Sequence, residues 1–210
     1  MQPFSFKESE KMYPVMLNLK HKKILIVGGG KVATQKINKL LEQKANITVV
    51  SPTLTETLHK YVSNRQIDWI DRSFKQEDTT EAFLVIAATN NRSVNDLVKR
   101  SCSQGQLVNV ADEPKSSDFY NMAVLDRGGL KIAISTEGAS PTLVKKIKQD
   151  LAEIFDDSYE NYLKFLLEAR KKIKVVIQDN ERKSYFFTEM MDDLYRKNEV
   201  ERDYFLENIK

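Results

Sequence analysis

The sequence predicts an α/β chain whose first half is a doubly wound parallel sheet and whose second half is a hairpin followed by helices. Three observations carry this expectation. Short apolar runs alternate with amphipathic stretches of helical period over about the first 112 residues. A glycine cluster, Gly28-Gly29-Gly30, stands where the first such run gives way to the first helical stretch. Beyond residue 120 two short runs flank Asp126-Arg127-Gly128-Gly129, and a charged helical tail follows.

Residues 23–27 are a strand, because an apolar run of this length bounded by glycine is strand-sized. From Lys31 the period becomes helical, with Ala33, Ile37, Leu40 and Leu41 on one side and Lys36, Lys39 and Glu42 on the other. Residues 46–50 form a second strand that Ser51-Pro52 ends. Leu54, Leu58, Tyr61 and Val62 mark a helix, 67–70 a short strand and 83–88 a buried strand. Val94, Leu97, Val98 and Ser101 give a helix that closes near Gly105, and 107–110 is the last strand of the series. Strands apolar on both faces belong in a parallel sheet covered by helices. Residues 121–125 and 130–134 then pair as a hairpin over the turn residues between them. Ser140 caps a helix with Pro141 at its first position, and Leu143, Ile147, Leu151 and Ile154 continue its apolar stripe. Helices are expected over 159–177, over 185–195 and to the end at Lys210.

Composition narrows the function classes. Of 210 residues, 33 are Lys or Arg and 30 Asp or Glu, a net charge of +3 that is too weak to argue for a nucleic-acid partner. A single cysteine, Cys102, forms no internal disulfide and fits a reducing, cytoplasmic setting. The leading residues lack a basic start followed by an apolar run, so no signal peptide is expected. No run approaches the ~20 apolar residues that cross a bilayer. His21 and His59 lie far apart and, with one cysteine, make no spaced metal set.

The main chemical signal is Gly28-x-Gly30-x-x-Ala33, placed after a strand and opening a helix. Glycines let the backbone turn tightly and approach a pyrophosphate, and the N–H groups of a helix start favour its charge. The dinucleotide fingerprint is incomplete. The acidic residue usual near the end of the second strand is missing, and Ser51, Pro52 and Thr53 stand there instead. The choice between NAD and NADP is therefore open on this segment. Thr89 ends the 83–88 strand, where a bound dinucleotide would pass; it reads equally as a cap, with Asn90, for the next helix. Asp112 follows the strand at 107–110, at the sheet edge where ligands bind, and a carboxylate there could exchange a proton. From spacing alone it reads more readily as a turn or cap residue before Pro114. Ser135, Thr136 and Ser140 lie in a loop that opens a helix, an anion-friendly arrangement or a plain cap. Lys145, Lys146 and Lys148 read as a solvated face that could attract a polyanion.

Taken in order, these pieces resemble the precorrin-2 dehydrogenase family, the sirohydrochlorin-forming module of siroheme synthesis. The matching stretches are Tyr13 to Leu17, Ile26-Val27-Gly28-Gly29-Gly30-Lys31-Val32-Ala33, Ile86-Ala87-Ala88-Thr89-Asn90 with Asn95 downstream, Asn109-Val110-Ala111-Asp112, and Ile132 to Thr136 with Ser140-Pro141. The resemblance covers roughly residues 12–155, and the remainder matches loosely.

The resemblance implies NAD-dependent oxidation of precorrin-2, a polycarboxylate tetrapyrrole, by a homodimer. It implies a Rossmann-like NAD-binding domain over 1–113, a small hairpin dimerisation region over 114–150 and a helical C-terminal domain over 151–210. Asp112 falls on the family's catalytic aspartate. Gly28, Gly29, Gly30, Lys31 and Val32, with the segment around Pro52 and Thr53, fall on its nucleotide contacts, and Thr136 on its active-site hydroxyl. Two departures are visible: Thr34-Gln35-Lys36 where the family often has Arg, and Glu137 where its loop commonly has Gly. A chain of 210 residues leaves no room for the methyltransferase half of the fused siroheme synthases. Two alternatives stay beside this expectation: a bifunctional enzyme that also inserts Fe²⁺ into sirohydrochlorin, and a non-catalytic NAD(H) sensor.

Overall fold

The computed structural model describes residues 12–210, so the expectation about a leader lies largely outside them. The chain divides into two compact units between Tyr120 and Asn121.

The first unit is built on β1 (Lys23–Val27), α1 (Lys31–Leu41), β2 (Asn46–Val50), α2 (Glu56–Ser63), β3 (Asp68–Ile70), β4 (Leu84–Ala87), α3 (Arg92–Ser101) and β5 (Leu107–Val110). The five strands pair in parallel in the order β3-β2-β1-β4-β5. Strand alternation sends the apolar residues of these runs to both faces of the sheet. Ile24, Ile26, Ile47, Val49, Leu84 and Ile86 enter one buried layer with Ala33, Ile37 and Leu58 of α1 and α2. Leu25, Val27, Val50, Val85, Ala87, Val108 and Val110 enter the other with Val98 of α3. Both faces are covered, as a parallel sheet requires.

The second unit contains β6 (Ala123–Arg127), β7 (Leu130–Ile134), α4 (Pro141–Ile154), α5 (Ser158–Val176), α6 (Asn180–Glu189), α7 (Asp193–Lys197) and α8 (Glu199–Asn208). Its first strand corrects the expectation of 121–125. Asp126 and Arg127 belong to the ladder, which pairs Arg127 with Leu130 and leaves only Gly128-Gly129 as the turn. Gly128 takes φ +66°, a conformation that costs glycine little and suits a two-residue hairpin turn. The expected helix over 185–195 is divided between α6 and α7. Asp192 accepts the Leu194 N–H (2.8 Å) and so starts a new helix instead of continuing the old one.

The core of this unit is aromatic. Tyr162, Phe165, Ala169 and Ile173 form the buried stripe of α5. Phe165 meets Tyr195 (5.5 Å) and Phe205 (5.5 Å), and Tyr195 meets Phe205 at 5.0 Å. By contrast α4 has no buried residue; Leu143 and Ile154 of its apolar stripe are exposed, as is Val124 of the hairpin. Among the described residues no helix is long and apolar enough to cross a membrane.

Candidate functional site

In the first unit the direction of winding reverses between β1 and β4, which places a crevice beyond their carboxyl ends. The glycine turn after β1 forms one side. Gly28 has φ +114°, and a Cβ there would stand 2.4 Å from the Ala88 carbonyl oxygen at the end of β4. A Cβ on Gly29 would stand 2.0 Å from the Thr53 carbonyl oxygen. Both distances lie far inside van der Waals contact, so the turn seats only without side chains. Gly30 differs: nothing lies within 4 Å of its Cβ position. It is the N-cap of α1, and no side chain caps that helix. The N–H groups of Lys31 and Val32 thus open a helix whose cap offers space where the other two glycines meet backbone. Those features fit a pyrophosphate.

The segment after β2 is bound to this turn. Thr55 N–H donates to the Gly29 carbonyl (2.9 Å), and the Thr34 and Thr55 hydroxyls meet at 2.8 Å. Ser51 is buried, and its hydroxyl donates to the Thr53 carbonyl (2.8 Å), whereas Pro52 and Thr53 are exposed. Ser51 therefore shapes the loop, and its exposed neighbours form the rim.

Across the crevice Thr89 follows β4 and Asp112 follows β5. Asn91, not Thr89 or Asn90, caps α3, accepting from the N–H groups of Ser93 (3.0 Å) and Val94 (3.3 Å). Thr89 instead bonds Asn95, which is fully buried on α3: its N–H and hydroxyl donate to Asn95 Oδ1 at 3.2 and 2.7 Å. Asn95 Nδ2 donates to the Thr89 carbonyl (3.2 Å) and to Asp112 Oδ1 (2.8 Å). Asp112 is exposed, so its carboxylate stands at the sheet edge with one oxygen held from behind. One residue further on, Arg92 pairs with Glu113 at 2.9 Å.

A second polar set lies on the α1 side of β5. Lys36 Nζ donates to Asn109 Oδ1 (3.1 Å), and Asn109 Nδ2 donates to the Phe119 carbonyl (3.0 Å). Burial, with Lys39 as a smaller cause, lowers the proton affinity of Lys36 below that of an ordinary lysine. Sequence reasoning passed over Asn95 and Lys36 as site residues. The available signal was an amide within the Val94–Val98 stripe, a polar group on a face otherwise committed to the core.

In the second unit the hydroxyls of Ser135, Thr136 and Ser140 all close onto backbone. Ser135 accepts the Glu137 N–H (3.1 Å), Thr136 the Ser140 N–H (3.1 Å) and Ser140 the Leu143 N–H (3.1 Å) as N-cap of α4. Glu137 is exposed at φ +50°, in the left-handed region that favours glycine. Cys102 is half-buried, and burial pushes its thiol up to about 11, so it is a poor nucleophile. Among the described residues no three His, Cys, Asp or Glu side chains converge as a metal site.

Three family models match this chain in succession: NAD(P)-binding over residues 15–123, sirohaem biosynthesis protein central over 127–154, and SirC C-terminal domain over 159–205. A protein named precorrin-2 dehydrogenase from Priestia megaterium is 39% identical over 199 residues, covering 95% of this chain and 98% of that one. Another so named, from Bacillus subtilis (strain 168), is 32% identical over 161 residues, 77% of this chain and 99% of the relative. A siroheme synthase of Vesicomyosocius okutanii subsp. Calyptogena okutanii (strain HA) is 32% identical over 86% of this chain but only 39% of its own length. A solved structure titled SirC, precorrin-2 dehydrogenase, superposes with a TM-score of 0.83 at 39% identity over 94% of this chain and 98% of that one. The likeness therefore reaches through the C-terminal helices, further than residues 12–155, where sequence reading alone placed it.

Proposed function

Because the chain belongs to the precorrin-2 dehydrogenase family, we propose that it oxidises precorrin-2 to sirohydrochlorin, with Asp112 as the proton-accepting or substrate-orienting carboxylate. It is an oxidoreductase of siroheme biosynthesis with NAD as cofactor, which supplies a two-electron acceptor for hydride.

Gly30, Lys31 and Val32 would hold the pyrophosphate through backbone N–H groups at the start of α1, while Gly28, whose own N–H donates to the Val50 carbonyl (2.9 Å), and Gly29 let the backbone make the turn that brings it there. Pro52 and Thr53 would border the ribose, with Ser51 fixing their loop. Thr89, past the end of β4, would flank the nicotinamide side. The oxidation removes a hydride and a proton from the macrocycle. Asp112 accepts that proton, or holds the substrate so that it leaves. Its exposed carboxylate, anchored through one oxygen by Asn95, is the observation that carries this role. Thr136, with Ser135 and Ser140, belongs to the proposed substrate loop; their hydroxyls hold that loop's backbone in shape.

We read residues 1–113 as the NAD-binding domain, 114–150 as a dimerisation region and 151–210 as the helical domain. The uncovered stripe of α4 and exposed Val124 support a homodimer formed through the middle segment. The single thiol supports a cytoplasmic setting.

The deciding experiment is anaerobic turnover of precorrin-2, generated in situ, with NAD⁺, following sirohydrochlorin and NADH by absorbance. Asp112→Asn lowers kcat by ~10²–10⁴-fold with NAD⁺ affinity kept. A folded Asp112→Asn enzyme within about twofold of the parent would remove Asp112 from the chemistry.

A further inference from the structure

We propose that Asn95 is a positioning residue that couples the nucleotide edge to the reacting carboxylate, holding Asp112 through one amide hydrogen while reading the backbone of Thr89 with the rest. The inference rests on the role given to Asp112 above.

The side chain is wholly buried on α3, where valine or leucine would pack more cheaply, so the amide needs a reason to be there. Its bonding capacity is filled. Oδ1 accepts from both the N–H and the hydroxyl of Thr89, and Nδ2 donates to the Thr89 carbonyl and to Asp112 Oδ1. The Thr89 N–H settles which way the amide points. A backbone N–H can only donate, so the oxygen of Asn95 must face it, and the NH₂ must face Asp112. Asp112 therefore presents Oδ1 as the acceptor on that side, and its second oxygen is left to face substrate. A short, fully bonded amide has no rotamer freedom to lose, so a shift of the loop after β4 is passed to the carboxylate after β5. In this way the segment that would border the cofactor and the group that would meet the substrate share one rigid link.

Asn95→Asp tests this link. It keeps acceptors for the Thr89 N–H and hydroxyl but removes the Nδ2 donor to Asp112, and with it the weaker bond to the Thr89 carbonyl, and sets one carboxylate against another. With fold checked by circular dichroism, Asn95→Asp at pH 8 should lose roughly tenfold or more in kcat, the fold-change expected for a bond to a charged group. KM for NAD⁺ should stay within about twofold. In the Asp112→Asn background the same change should cost no further than about twofold, because the group it acts through is already gone.

A folded Asn95→Asp enzyme with the parent's kcat overturns the inference while leaving Asp112 in place. So do losses that multiply in the double variant. An Asp112→Asn enzyme that turns over like the parent overturns the role of Asp112, and this inference with it. If Asn95→Asp does not fold, side-chain amide NMR on the otherwise unaltered chain decides. In Asp112→Ala one Nδ2 proton of Asn95 moves upfield and the other, on the Thr89 carbonyl, stays; two unmoved protons overturn the inference.

Discussion

Gly29 lies so close to Thr53 that a methyl group on its Cα would stand 2.0 Å from the Thr53 carbonyl oxygen. The contact joins the turn after β1 to the loop after β2, and the 2.9 Å bond from Thr55 N–H to the Gly29 carbonyl closes it from the other side. Two adjacent glycines therefore do different work: one is needed by the protein's own backbone, while Gly30 has open space around its Cβ position.

Alanine substitution separates these roles. Gly29→Ala must push the β2–α2 loop outward, and a lowered melting temperature with NAD⁺ affinity reduced at least tenfold is expected, about 1.4 kcal/mol or more. Gly30→Ala meets no protein atom and has an allowed φ of −86°, so its melting temperature stays within about 2 °C of the parent. Loss of NAD⁺ affinity in Gly30→Ala, measured by calorimetry, then reports the ligand directly.

Glu137 occupies a left-handed conformation at φ +50° in the loop before α4. Glycine adopts that region without the Cβ clash, so Glu137→Gly should leave stability unchanged or raise it by up to about 1 kcal/mol, part of the gain being returned to the more flexible unfolded chain. Removing a carboxylate from the proposed substrate loop should also lower KM for the polyanionic substrate. A rise in KM would argue that Glu137 contacts substrate favourably.

Asp78 is gripped by Arg72 through two bonds (2.6 and 2.8 Å) and by the Lys75 N–H (2.9 Å). The Arg72 bonds, and then the backbone bond, hold its carboxyl below the usual range. A depressed folded-state value means stability that is present above the unfolded value of 3.8 and is lost as pH falls through the lower folded value. Asp78→Asn should therefore destabilise the protein at pH 7 by ~1–3 kcal/mol, with the difference from the parent shrinking below pH 4. Thermal melts at pH 7 and pH 3 check the sign.

The uncovered stripe of α4 bears on assembly. Leu143 is 47% and Ile154 61% exposed. Leu143→Glu together with Ile154→Glu should shift sedimentation from dimer to monomer while leaving the far-ultraviolet dichroism unchanged. A parent chain that sediments as a monomer at micromolar concentration would remove the dimer reading.

Much of this protein is local and was legible as such. The central strands β1 and β4 are apolar runs because both their faces are buried, and the Gly28–Gly30 turn announces itself by composition. Ser140 with Pro141 marks the start of α4 because capping is decided within one turn. The hairpin ladder was shifted because residue types at 126–129 suit a longer turn, whereas pairing of Arg127 with Leu130 is a property of two strands. The break at Asp192 was missed because its neighbours allow a helix to continue, and only the aromatic core around Phe165 decides where the chain must turn.

What the sequence by itself determined was the layered α/β unit, the phosphate-type turn and the identity of Asp112 as a candidate carboxylate. What the tertiary structure decided was how that carboxylate is held. Asn95, on α3, and Asp112, past the end of β5, are 17 residues apart, and Thr89 lies past the end of β4. No periodicity joins them, because a hydrogen bond at 2.8 Å depends on how α3 packs across β4 and β5, not on spacing along the chain.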